Sequence, residues 1–230
     1  MVSTVISRQT PACLINESPE PIDLIYVYSD RTYEFTKRVL DIVTAVGLLI
    51  LMGPLMLLVA GIIRISSPGG ALFRQLRAGQ NGKPFVMYKF RTMRIDAEQA
   101  RGAIEHLNEQ VGPVFKVACD PRVTPLGRFL RRTSIDELPQ MFNVLKGEMS
   151  IVGPRPLWLP EAEQAGMTGL VRTRVRPGLT CLWQISGRSE LPYDRWVVLD
   201  MYYISNRSTL LDLMIMVQTI PAVLSTKGAY

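Results

Sequence analysis

The stretch RRTSIDELPQ, Arg131 to Gln140, sets two acids side by side, with two arginines ahead of them and a proline behind. Neighbouring carboxylates point in different directions on any regular backbone. Asp136 and Glu137 therefore cannot flank one substrate bond as a glycosidase pair would. Ser134 and Glu137 have the S-x-x-E spacing of a capping box, in which both acids would serve a helix start. Pro139 is tolerated only in the first turn of a helix, so Asp136 is expected at the N-cap or first helical position. A helix N-terminus beside Arg131 and Arg132 is also a prepared anion site. A carboxylate inside such a site is favoured in its charged form, which suits a metal ligand or a nucleophile directed at phosphorus. Capping device, metal ligand and nucleophile all remain open on these residues alone.

Other cationic positions could serve the same chemistry. Gly153-Pro154-Arg155-Pro156 is a rigid turn presenting one guanidinium, and Arg174, Arg176 and Arg188 lie among Gly178 and Gly187. Basic residues spaced among glycines suit phosphate or diphosphate, although ordinary surface loops have the same composition. Trp183 is expected in the core rather than as a base-stacking platform. His106 is the single histidine and lies in the polar stretch EQARGAIEHLNEQ, where a solvated helix position is expected. A histidine-rich zinc site is thus excluded, and Ser-His or Cys-His catalysis is not expected. Cys13, Cys119 and Cys181 lie far apart, the pattern of reduced cytosolic thiols. Any metal is expected to be Mg²⁺ on oxygen ligands.

These residues must be positioned by a chain of 230 residues, enough for one domain with a real core. A positive mean hydropathy beside 20% charged residues points to apolar surface meant for lipid. The net charge of +6 is spread along the chain, so it does not choose among nucleic acid, anionic lipid and phosphorylated substrates. Residues 1–32 read as a tail or accessory segment in which PIDLIYVY has strand character, with no signal-peptide pattern. From Ile42 to Ile63 about 22 residues carry no charge, the length that crosses a bilayer. Gly53-Pro54 sits in the middle of that run, and Lys37, Arg38, Arg64, Arg74 and Arg77 flank it on both sides. A spanning helix and a helix that breaks at the proline and returns to the same face both fit. Residues 72–93 read as a hairpin turning at Asn81-Gly82, with Lys89, Arg91 and Arg94 near the end of its second strand. A polar helix is expected from about Asp96 to Gln110, and LGRFLRR reads as a short basic amphipathic helix. A further helix starts near Ser134, with Leu138, Met141, Phe142 and Leu145 on one face and Gly147 closing it. TLLDLMIMVQTIPAVL reads as a helix that lies on a membrane surface or packs in the core.

Taken together, KRVLDIV, the proline-centred apolar run, FRQLRAGQNGKPFVMYKFRTM, DPRVTPLGRFLRRTSIDELPQMFNVLKGEMSIVGPRP, VRPGLTCLWQISGRSE, LDMYYI and LLDLMIM resemble one family. It is that of the bacterial sugar transferases known as monotopic polyprenyl-phosphate phosphoglycosyl transferases, and the likeness runs from about Tyr33 to Tyr230. The resemblance implies transfer of a sugar 1-phosphate from a UDP-sugar to undecaprenyl phosphate, with release of UMP, as the first membrane step of exopolysaccharide or O-antigen assembly. It implies Asp136 as nucleophile of a covalent phosphosugar-aspartate, Glu137 as its support, and Mg²⁺ held at Asp136 and Glu137. It makes Lys89, Arg131, Arg155, Arg188 and Asp212 substrate-binding candidates. The fold it implies is α+β and helix-rich, with a re-entrant membrane helix over residues 33–66 broken at Gly53 and Pro54, interfacial amphipathic helices, and a catalytic domain over residues 67–230. The expected place is the cytoplasmic face of the bacterial inner membrane, with no nucleic-acid partner and a homodimer left open. The family often has Ser where Gly53 stands, and DDPR where this chain reads Cys119-Asp120-Pro121-Arg122. Longer relatives also carry several spans and a further domain ahead of the catalytic core. The forms LWQISGRSE and KGAY favour UDP-glucose or UDP-galactose. A membrane-tethered binding protein that does not need Asp136, and a scaffold with one spanning helix, are the competing classes.

Overall fold

A computed structural model describes residues 30–225. The N-terminal tail up to residue 29, with PIDLIYVY, and the ending KGAY lie outside the described residues. The chain opens with one long helix, α1 (Arg31–Ser66), started by Asp30, whose Oδ1 accepts from the Thr32 backbone N–H at 3.1 Å. At about 1.5 Å per residue its 36 residues reach about 54 Å. The expected break at Gly53-Pro54 does not divide it into two elements, because Pro54 is an internal residue of the helix. A proline deletes one backbone hydrogen bond and bends a helix. It need not end one when the turns on both sides are held from outside.

Both halves of α1 are so held, and by the same body. In the N-terminal half, Lys37 Nζ donates to the Val152 carbonyl at 2.9 Å, and Asp41 Oδ1 accepts from Ser150 Oγ at 2.9 Å and from the Ile151 N–H at 2.8 Å. In the C-terminal half, Val59 and Ile63 pack with Ala71, Phe90 and Leu130.

The hairpin forms as read. Strands β1 (Leu72–Ala78) and β2 (Pro84–Phe90) pair antiparallel from Leu72 opposite Phe90 to Ala78 opposite Pro84. The turn residue Asn81 takes φ 56°, a left-handed conformation that asparagine adopts at low cost. The expected helix over 96–110 is instead a 3₁₀ segment, Gln99–Leu107, with turns before it. The basic helix is α2 (Pro125–Arg132), capped by the Thr124 hydroxyl, which accepts from the Gly127 N–H at 2.9 Å.

The expected helix near Ser134 starts later. Ile135–Gln140 is a 3₁₀ turn and α3 (Met141–Lys146) follows, closed by Gly147 at φ 81°. The capping box does not form. Ser134 is left-handed at φ 56° and its hydroxyl makes no cap hydrogen bond; the turn closes through the Glu137 N–H donating to the Ser134 carbonyl at 3.2 Å.

Beyond α3 lie β3 (Ser150–Val152), α4 (Leu159–Gln164), α5 (Gly166–Arg172), β4 (Gly178–Thr180), α6 (Leu182–Ile185), α7 (Tyr193–Asn206) and α8 (Thr209–Leu224). β3 and β4 run parallel, Ser150 opposite Gly178 and Val152 opposite Thr180. The main core gathers around this pair: Met141, Val144, Met149, Ile151, Leu182 and Ile204 are all buried within it. Trp183 is there too, its ring stacked on Trp196 at 4.2 Å.

Candidate active site

The hairpin, the 3₁₀ turn and the loop after β3 bring four charged side chains to one point. Lys89 stands near the end of β2, and Glu137 accepts from its Nζ at 3.0 Å. Arg155, in the loop after β3, donates Nη2 to the same Glu137 Oε1 at 2.6 Å and Nη1 to Oε2 at 3.4 Å. Glu137 is thus fully engaged. Burial alone would raise its carboxyl, but Arg155 and Lys89 outweigh burial and hold it well below the usual carboxylate range. Burial lowers Lys89, with Glu137 opposing, whereas at Arg155 the Glu137 charge overrides burial and raises the guanidinium.

Asp136 is the opposite case. It is only 6% exposed, yet its carboxylate makes no hydrogen bond or ion pair among the described residues. Burial pushes it up from 3.8 to about 6; Lys89 counters this and the Glu137 charge adds to it. Two adjacent acids therefore differ sharply, one pinned and ionised, the other unpartnered and poised.

Arg131 lies in the last turn of α2, and its Nε donates to the Thr92 hydroxyl at 3.0 Å. That reach depends on Gly127, where a Cβ would lie 1.9 Å from the Thr92 carbonyl oxygen. No larger residue lets α2 lie against the strand end at this distance. Arg188 follows Gly187 at φ 51°, and burial lowers its guanidinium.

Lys89, Arg131, Asp136, Glu137, Arg155 and Arg188 all line one cavity of about 1470 Å³. That exceeds the roughly 300–1,000 Å³ of a site for one small ligand. One side is apolar, formed by Leu48, Met52 and Leu55 of α1 and by Met216, Val217 and Ile220 of α8. The other side is polar and aromatic, with Arg77, Arg101, Phe115 and Trp158. Gly53 and Pro54 fall on α1 between Met52 and Leu55.

Asp212 stands apart from this group. It is buried in the first turn of α8, where it pairs with Lys37 at 2.9 Å and accepts from the hydroxyls of Tyr33 at 3.0 Å and Tyr203 at 2.8 Å. The cluster ties α8 to α1 and, through Lys37, to β3.

Sequence reasoning missed several contributors. Thr92 positions Arg131. Arg77 donates to the Pro156 carbonyl at 3.2 Å and lies 3.8 Å from Glu161. Asp120 holds Arg122 through two oxygens, at 2.6 Å for the closer pair. A signal existed for Arg77: it shares with Phe73 and Gln75 the half-buried phase of β1, where a polar residue needs a reason.

Comparison with known proteins agrees with this geometry. The bacterial sugar transferase family profile matches residues 32–226. The chain is 42% identical over 199 residues to exopolysaccharide production protein ExoY of Sinorhizobium fredii, covering 85% of this chain and 88% of that protein. It is 42% identical over 208 residues to UDP-glucose:undecaprenyl-phosphate glucose-1-phosphate transferase of Caulobacter vibrioides, covering 86% and 73%. It is 39% identical over 206 residues to undecaprenyl-phosphate galactose phosphotransferase of Salmonella typhimurium, covering 87% of this chain but 43% of that protein. The chain thus spans most of some curated relatives and less than half of others. A profile match over most of the chain, on a fold that gathers several cations around the buried Asp136 carboxylate, places it plainly: the chain belongs to the bacterial sugar transferase family.

Proposed function

We propose that this transferase moves a hexose 1-phosphate from UDP-glucose or UDP-galactose to undecaprenyl phosphate, at the cytoplasmic face of the bacterial inner membrane, for exopolysaccharide or O-antigen assembly. The observation that carries the reading is Asp136: a buried carboxylate without a partner, in a cavity whose other charged residues are mostly cations. Such a group is costly to keep and well suited to attack.

In the first step an Asp136 oxygen bonds to the phosphorus that carries the sugar. The bond from that phosphorus to the bridging diphosphate oxygen breaks, and UMP leaves with the electron pair. In the second step a phosphate oxygen of the polyprenyl phosphate attacks the same phosphorus, and the Asp136 carboxylate is released. One pyrophosphate linkage replaces another, so no ATP is needed. Arg131, Arg155, Arg188 and Lys89 bind the phosphate oxygens and offset the charge that develops on them. Glu137 holds Lys89 and Arg155 in place. Two successive steps let a water-soluble donor and a lipid acceptor use one site in turn. The apolar side of the cavity, between α1 and α8, suits the acceptor's chain. Because both halves of α1 are fixed to one body, the helix is read as entering and leaving the membrane on the same side, bent at Pro54.

Mg²⁺ fits this site in a particular way. Among the described residues no three His, Cys, Asp or Glu side chains form a metal cage, and Glu137 is occupied by its two cations. Asp136 would hold the ion together with substrate diphosphate oxygens and water, the common pattern for this ion. When bound, the ion would neutralise phosphate charge.

The test offers UDP-glucose or UDP-galactose with Mg²⁺ and no lipid acceptor. About one UMP per enzyme at most is expected, with a hexose-phosphate mass on the peptide holding Asp136. Retained turnover in Asp136→Asn would overturn the mechanism, and a panel of UDP-sugars identifies the donor.

A further inference from the structure

The polar side of the cavity carries a second arrangement that the transfer chemistry leaves unused. Arg101, on the 3₁₀ segment, places its guanidinium carbon 4.3 Å from the Trp158 ring centroid and 4.9 Å from that of Phe115. The backbones that carry both rings are tied to one acid: Glu161 Oε1 accepts from the Phe115 backbone N–H at 3.4 Å, and Oε2 from the Trp158 backbone N–H at 3.2 Å. Glu161 itself is buried. The Arg101 side chain forms no hydrogen bond or ion pair with the described residues, so its guanidinium N–H donors are uncommitted. Arg101, Phe115 and Trp158 line the same cavity as Asp136. Arg77 lies between the two groups, within electrostatic reach of Glu161, Arg155, Glu137 and Arg101.

A guanidinium packed against two aromatic rings loses little further freedom when it pairs with a ligand. Bases stack on guanidinium planes as well as on aromatic rings. A pyrimidine such as uracil also offers carbonyl oxygens that accept the free N–H donors. The neighbouring cations around Glu137 are the phosphate site, and a nucleoside extends from its diphosphate in one direction. We infer that Arg101, seated on Trp158 and Phe115, is the nucleobase subsite of the donor and discriminates the uridine end from phosphate alone. The assignment rests on the UDP-sugar reading above.

Binding of UMP and of ribose 5-phosphate to the full chain in nanodiscs tests it without requiring turnover. The intact protein is expected to prefer UMP about tenfold or more, the worth of one well-made recognition contact. Arg101→Ala should lower UMP affinity toward that of ribose 5-phosphate and leave ribose 5-phosphate itself unchanged. Arg101→Lys, which keeps the charge and loses the plane, should behave like Arg101→Ala. In turnover, KM for the UDP-sugar should rise about tenfold with kcat held. An unaltered preference in Arg101→Ala, or an equal loss on both ligands, overturns the subsite and reduces the cluster to loop packing. Either result leaves Asp136-dependent UMP release untouched, so failure here is distinct from failure of the transfer mechanism.

Discussion

Asp136 and Glu137 are one residue apart and electrostatically unlike, and the difference comes from partners rather than from residue type. Glu137 has two cations at hydrogen-bond distance and Asp136 has none. With its carboxyl raised to about 6, Asp136 loses nucleophilic charge as the medium turns acid. UMP release without acceptor is therefore expected to fall as pH drops through about 6, read in single-turnover assays across pH 5 to 8. A stability consequence follows with a defined sign. Below 3.8 the carboxyl is protonated both folded and unfolded, and no penalty exists. Between 3.8 and about 6 only the unfolded chain ionises, so stability declines, and above about 6 the full cost is present. That cost is on the order of 3 kcal/mol. Asp136→Asn is thus expected to raise the unfolding midpoint by roughly 5–10 °C at pH 7.5. The gain should disappear near pH 4. A midpoint that is unchanged at pH 7.5 would mean the carboxylate is well solvated and the cavity reading is wrong.

At the scale of elements, the site depends on how closely α2 lies on the end of the hairpin. Gly127 touches the Thr92 backbone, and Arg131 one turn later takes its orientation from the Thr92 hydroxyl. Gly127→Ala forces the helix outward and should lower stability by about 1–3 kcal/mol. Arg131 moves with it, and a displacement near 1 Å costs on the order of 10²-fold in rate. Thr92→Val should slow UMP release with a smaller loss of midpoint, because the helix stays in place. Equal rates in both variants would remove Arg131 from the machinery. The hairpin and α2 were legible in the sequence because alternation, Asn81-Gly82 and a basic amphipathic run are local signals. The parallel pair β3 and β4 was not, since three residues per strand give no period and the partners lie far apart in the chain. The S-x-x-E spacing misled for a related reason. The Glu137 side chain had a stronger offer from Lys89 and Arg155, residues that only the folded chain brings near. For the same reason the cationic residues could be named from sequence, but which acid they pin could not.

For the molecule as a whole, the question is which side of a membrane each end of α1 occupies. Its midsection is apolar and outward facing on both sides of Pro54, with Ile50 75%, Leu51 68% and Leu57 77% exposed. α8 adds exposed Leu210 and Leu224. Surface of this extent is built to meet lipid. Yet Lys37 and Asp41, near the start of α1, bind Val152, Asp212, Ser150 and Ile151 inside the body, while Ile63, near its end, packs on the same body. A helix crossing the bilayer would carry Lys37 to the far side and leave Asp212 buried without its cation. Breaking such a buried pair costs about 3–5 kcal/mol. Both ends are therefore expected on one face. The check places a single cysteine at exposed Thr32 or exposed Glu163, with Cys13, Cys119 and Cys181 replaced by alanine. A membrane-impermeant maleimide applied to oriented vesicles should label both positions from the same side. Labelling from opposite sides would make α1 a spanning helix, incompatible with the Lys37–Asp212 pair and a bend at Pro54.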